Sequence, residues 1–211
     1  EGQFHVAQLL LDNGAEVNLA KTVGVTPLFI AAQNGQLDVT KLLLDRGADV
    51  NQVNINTYGE TPLHIAAENG QLDVAQLLLD RGADVNQANT YGRTPLHIAA
   101  EEGQFHVAQL LLDNGAEVNQ ARTNGATPLY LAAANGQLAV AELLLDRGAD
   151  VNQANTYGRT PLYIAALYGQ LAVAELLLDN GAEVNQARTT DGTTPLHIAA
   201  LNGQLDVTKL L

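Results

Sequence analysis

The chain has 211 residues, 46% hydrophobic and 4% aromatic, with 10 Lys and Arg against 23 Asp and Glu for a net charge of −13. That length fits one domain or two small ones, with enough apolar material for a core. Cys and Ser are both absent, which excludes disulfides, thiolate metal sites and cysteine or serine nucleophiles, while the acidic field disfavours nucleic acid as a partner.

Taken in order, the chain divides at a recurring tripeptide. All six prolines fall in Thr-Pro-Leu, beginning at Thr26, Thr61, Thr94, Thr127, Thr160 and Thr194, at intervals of 35, 33, 33, 33 and 34 residues. Residues 1–25 read as half a repeat, 26–60, 61–93, 94–126, 127–159 and 160–193 as full repeats, and 194–211 as a partial one. No linker interrupts them, so one continuous domain is expected over 1–211.

The unit 61–93 predicts the rest. Thr61 caps a helix through its hydroxyl, and Pro62 suits the first helical position, where its missing N–H costs nothing. Leu63, Ile65, Ala66 and Ala67 form a short apolar helix stopped by Gly70 in the left-handed region. A second helix runs from about Gln71 to Asp80 with Leu72, Val74, Leu77, Leu78 and Leu79 on its apolar side, and Gly82 stops it. Ala83 to Arg93 is polar and extended, with Tyr91-Gly92 at a turn. Helices this short are not stable alone, so each unit must bury its faces against its neighbours as a solenoid. No apolar run reaches the roughly 20 residues of a membrane span.

The residues Thr94-Pro95-Leu96-His97-Ile98-Ala99-Ala100, then Leu110-Leu111-Leu112, then Gly115-Ala116-Glu117-Val118-Asn119, repeated down the chain, resemble the ankyrin repeat family. The resemblance implies a mainly all-α solenoid of helix–turn–helix units with projecting, β-hairpin-like turns. The turns and first helices would line a concave face. It also implies protein binding without chemistry, an intracellular setting, and asparaginyl hydroxylation as an option at the Val-Asn asparagines. The His usual after Thr-Pro-Leu is kept at His64, His97 and His197 but is Phe29, Tyr130 and Tyr163 elsewhere. The acidic residue usual at the start of the turn is Lys21, Asn89, Arg122 or Asn155. Two residues are inserted near Val53 to Ile55 and one near Thr189 to Asp191.

Residues 1–18 are identical to 102–119, and 34–43 recur as 202–211. After the second helix the chain uses two wordings only, Asp-Asn-Gly-Ala-Glu and Asp-Arg-Gly-Ala-Asp. This points to recent tandem duplication or to deliberate assembly from a few modules. The chain opens at Glu1 between two helices and ends at Leu211 inside one, so a segment of a longer array is expected.

Chemistry finds little support. His64, His97 and His197 occupy one repeat position, where a hydrogen bond within the turn outweighs a shared zinc; His5 and His106 belong on the surface. Translationally equivalent carboxylates such as Asp45, Asp80 and Asp146 share one environment, whereas acid–base catalysis needs two. No enzyme activity, metal or cofactor is expected. The Val-Asn asparagines (Asn18, Asn51, Asn86, Asn119, Asn152, Asn185) are expected to bond neighbouring backbone.

Partner-facing positions are those that vary between repeats. Val23, Tyr58, Tyr91, Asn124, Tyr157 and Asp191 share the turn tip, and Val25, Glu60, Arg93, Ala126, Arg159 and Thr193 the position before Thr. Pairs such as Glu101-Glu102 and Leu167-Tyr168 end the first helices. Aromatic residues and Arg dominate interface energetics. The expected face therefore comprises Tyr58, Tyr91, Arg93, Tyr157, Arg159, Leu167 and Tyr168, and it takes a neutral or basic protein or peptide. A head-to-tail array through the repeat ends, where Leu205, Val207, Leu210 and Leu211 lie, is the structural alternative. Small-molecule capture in an open groove ranks last.

Overall fold

A computed structural model describes residues 2–21 and 24–211. The half repeat holds α1 (Gly2–Asp12). Paired helices follow: α2 (Pro27–Gln33) and α3 (Leu37–Asp45), α4 (Pro62–Glu68) and α5 (Leu72–Asp80), α6 (Pro95–Glu102) and α7 (Phe105–Asp113). The pairing continues through α8 (Pro128–Asn135) and α9 (Leu138–Asp146), α10 (Pro161–Tyr168) and α11 (Leu171–Asp179), α12 (Pro195–Leu201) and α13 (Leu205–Leu210). No strand forms among the described residues; a single bridge, Asn54 to Glu60, closes the turn that carries the two-residue insertion. That insertion also makes a 3-10 turn, Ile55–Thr57.

Each first helix starts as its sequence dictates. The Thr hydroxyl accepts the N3 backbone N–H in every repeat, from Thr26 through Thr194, and Pro occupies N1. The second helices begin one residue later than expected, at Leu72 in the unit 61–93. Gln71 sits at the N-cap without a side-chain cap bond. Its amide instead donates across to the Gln33 carbonyl (3.4 Å), and Gln104, Gln137, Gln170 and Gln204 repeat that link to the preceding first helix.

Two rows of helices stack side by side. The first-helix row (α2, α4, α6, α8, α10, α12) packs more densely than the second-helix row. The cause is alanine: Ala66, Ala67, Ala99, Ala100, Ala132, Ala133, Ala165 and Ala166 are fully buried and let backbones approach. Leu63, Leu78, Leu96, Leu111, Leu129, Leu144, Leu162 and Leu177 fill the space between the rows. Removing any one of these leucine side chains is worth about 2–5 kcal/mol, the transfer and cavity terms together.

The Val-Asn asparagines join the repeats rather than their own loops. Asn51 Oδ1 accepts the Asp84 N–H (2.9 Å) while its Nδ2 donates to the Gly82 carbonyl (3.3 Å). Asn18, Asn86, Asn119 and Asn152 make the same two bonds to the next repeat. This amide ladder fixes the register along the edge away from the turn tips.

Candidate functional site

The turn tips are shaped by asparagine. Asn89 Oδ1 accepts the backbone N–H groups of Tyr91 and Arg93, both at 3.0 Å, and Asn155 Oδ1 does the same for Tyr157 and Arg159. The amide oxygen holds a loop that lifts the tyrosine to the tip and turns the arginine back toward the helix. Successive tips are tied together: Thr90 N–H donates to the Tyr58 carbonyl (2.8 Å), Thr123 N–H to that of Tyr91 (3.0 Å) and Thr156 N–H to that of Asn124 (2.9 Å). Gly92 and Gly125 make this approach possible. Both have positive φ, and a Cβ on either would lie 2.8 or 2.7 Å from the next turn's backbone nitrogen.

Of the seven expected residues, four are rings set on the surface: Tyr58 is 58% exposed, Tyr91 48%, Tyr157 54% and Tyr168 58%. Tyr58 and Tyr91 pair with centroids 4.7 Å apart. Tyr58 itself has φ of 58°, the one non-glycine in the left-handed region among the described residues, at the end of the inserted turn. Arg159 lies over the exposed Tyr157 ring (5.7 Å) and over the buried Tyr163 ring (5.8 Å). Arg93 is half-buried and pairs with Glu101 at 2.5 Å. Leu167 is half-buried and packs against the core beside exposed Tyr168. Val23 lies outside the described residues. Asp191, at the same position, accepts from Thr193 and from Arg188, and these bonds pull its carboxyl down to about 2.

Two grooves run between turns and first helices. One, of about 500 Å³, is lined by Tyr58, Glu60, Glu68, Arg93, Glu101 and Glu102 among others. Burial, reinforced by the nearby Glu68 charge, raises the Glu60 carboxyl above its ordinary range. The other, of about 640 Å³, is lined by Arg122, Arg159, Tyr130 and Tyr168 together with Leu131 and Ile164. Tyr130 is 6% exposed and its hydroxyl accepts Asn155 Nδ2 at 3.4 Å. Arg122 and Tyr130 were legible only as departures, a cation where the family has an acid and a phenol where it has an imidazole.

The histidines are spoken for. Thr61 N–H donates to His64 Nδ1 (3.1 Å), so the ring proton sits on Nε2, which donates to the Arg93 carbonyl of the following turn (3.0 Å). His97 repeats this with Thr94 and Ala126. Burial lowers both rings to about 4. His197 makes the cap to Thr194, and among the described residues no group of three His, Asp or Glu is arranged to hold a metal.

The family model for ankyrin repeats matches residues 1–89, 52–122, 86–155, 116–188 and 152–211 in overlapping copies. The chain belongs to the ankyrin repeat family. No curated protein is matched by it. Ankyrin repeats are in general protein–protein interaction modules, and no helix among the described residues is long and apolar enough to cross a membrane. In ankyrin terms, the structure brings Tyr58 to Tyr91, Arg159 to Tyr157, and Arg159 and Tyr168 to the second groove, while Leu167 is half-buried against the core.

Proposed function

We propose that this ankyrin repeat chain is a non-catalytic scaffold that takes a protein or peptide segment across its turn tips and first-helix ends. Tyr58, Tyr91, Arg93, Tyr157, Arg159, Leu167 and Tyr168 form the binding face, on the concave side implied by the family. One observation carries the reading: four tyrosines remain about half exposed on this side although each repeat has a filled core beneath it. Half-exposed rings that stand beside arginine have the composition of an interface centre. The two grooves described on this face are open, whereas small molecules are held in enclosed cavities.

The test is selection of binders from a displayed library of random twelve-residue peptides against the whole chain. Changing Tyr157, Arg159 and Tyr168 together to Ala should abolish binding while leaving the helical signal intact. Unchanged affinity rejects this face.

A second reading is head-to-tail association. An apolar groove of about 570 Å³ beside α1 and α2 is lined by Ala7, Leu19, Val25, Pro27, Ile30 and Ala31, and at the other end of the array Leu201 is 79% and Leu205 63% exposed. Sedimentation equilibrium decides it: mass rising with concentration supports stacking, and a monomer at all concentrations dismisses it.

A further inference from the structure

The net charge of −13 conceals an uneven face. Seven arginines are present, and five have a carboxylate partner: Arg46 with Asp12, Arg81 with Asp45, Arg93 with Glu101, Arg147 with Asp113 and Arg188 with Asp191. Arg122 and Arg159 are the two that have none among the described residues, and both line the same groove. Arg122 spends its Nε–H on Asn124 Oδ1 (2.9 Å), leaving the ends of its guanidinium uncommitted. Arg159 has its Nε buried without an acceptor and its plane packed between two tyrosine rings.

In a protein with more than twice as many acids as bases, two cations left without a carboxylate side by side mark a place prepared for an anion from outside. The surroundings narrow its kind. The Tyr130 hydroxyl accepts from Asn155 and keeps its own proton to donate. Leu131, Ala134, Ile164 and Tyr168 line the groove beside Asn135 and Gln170, and the exposed lining is more polar than apolar. Glu101 closes the groove on the side toward Arg93 and repels a second negative charge. The other groove, two first helices away at α4, has the opposite sign: Glu60, Glu68 and Glu102 face it, none in an ion pair among the described residues, and Arg93 is already taken by Glu101.

We infer that the face takes an extended peptide with a single carboxylate side chain, Asp or Glu, seated between Arg122 and Arg159 and a basic residue over Glu60, Glu68 and Glu102. The inference rests on the binding face proposed above and adds the chemistry of its occupant. Neighbouring packed helices lie about 8–10 Å apart, so two intervals span about 16–20 Å. An extended chain rising about 3.3 Å per residue covers that in about five or six residues. A planar guanidinium matches a carboxylate bidentately, which makes the acidic end the part that sets register.

The experiment uses peptides selected on the whole chain from the random twelve-residue library, resynthesised with a fluorophore and titrated by anisotropy. Peptides whose binding is lost with Tyr157→Ala should carry Asp or Glu with Lys or Arg about five or six residues away. Their affinity should fall by at least about tenfold on Arg122→Gln or Arg159→Gln, and by as much when the peptide's acid becomes its amide. The amide peptide should then lose nothing further on Arg122→Gln. Because Arg159→Gln disturbs packing on Tyr163, Arg159→Lys serves beside it: it keeps the charge, and a partial loss is expected from the missing fork. Binders that need Tyr157 but lack an acid, or are indifferent to Arg122→Gln and to their own Glu→Gln change, overturn the charge assignment and leave the face standing. Binders indifferent to Tyr157 and Tyr168, or no binders at all, overturn the face and the inference with it.

Discussion

The two repeats 61–126 and the two that follow, 127–193, have the same helices but hold their neighbours by different means. In the first pair His64 and His97 close a reciprocal cap on Thr61 and Thr94 and reach the next turn's carbonyl, so one imidazole stitches two repeats. In the second pair the Thr hydroxyl still accepts the Tyr130 or Tyr163 N–H, but the ring nitrogen bonds are gone. Tyr163 instead fills the space, 1% exposed, beneath Arg159, and Tyr130 offers its hydroxyl to Asn155. Directional hydrogen bonds are exchanged for buried aromatic area. The second solution also sets Arg159 and Tyr130 in a groove wall, whereas the histidines are consumed by the fold.

Acid should separate the two regions most. His64 and His97 hold a folded value of about 4 against 6.5 when unfolded, because burial disfavours the charged ring. The unfolded chain therefore binds protons first as pH falls. Stability is fully present above pH 6.5 and is lost between 6.5 and 4, by roughly 3 kcal/mol per histidine. Urea midpoints across this range check it, and an array insensitive to that pH step removes the argument. Tyr163→Ala should come next, costing about 3–5 kcal/mol at any pH between about 5 and 8, since it empties a buried ring site. His97→Phe copies the Phe29 solution into the first pair of repeats. It should lose about 1–2 kcal/mol at neutral pH from the cap and carbonyl bonds, and should halve the acid sensitivity. The smallest effect is expected for Arg147→Asn, which breaks the surface pair with Asp113 and should cost under about 1 kcal/mol in a thermal melt. A larger loss would mean that the back of the array is held by charge more than its exposure suggests.

The His-against-Tyr difference was visible in the letters, and so was its bland structural meaning for histidine. What the letters hid was the second partner: the imidazole's other nitrogen reaches a carbonyl 29 residues on. The same holds at the proposed binding face. Tyr58, Tyr91 and Tyr157 stood out as variable positions because turn tips follow directly from Gly and Asn placement, and Tyr168 stood out at the variable end of a first helix. Arg122 stood out only as a departure from the usual acid, since which acids fail to reach it is set by the packing of repeats. Leu167 resembled its exposed neighbour Tyr168 when the repeats were laid over one another, yet one step around the helix leaves it half-buried against the core.

By itself the sequence determined the helices, their starts at Thr-Pro, their stops at glycine and the fact of stacking, since each of these depends on residues within one turn or on a period repeated down the chain. Only the tertiary structure decided the pairings across repeats. The two wordings after the second helix read as marks of duplication, but in space the Arg of Asp-Arg-Gly-Ala-Asp reaches back to the preceding repeat's Asp, while Asn114 and Asn180 bond their own helix. In a stacked array the nearest neighbour of a side chain lies a whole repeat away. Its partner is set by how closely the alanine-lined helices approach, and so is which charge is left without one.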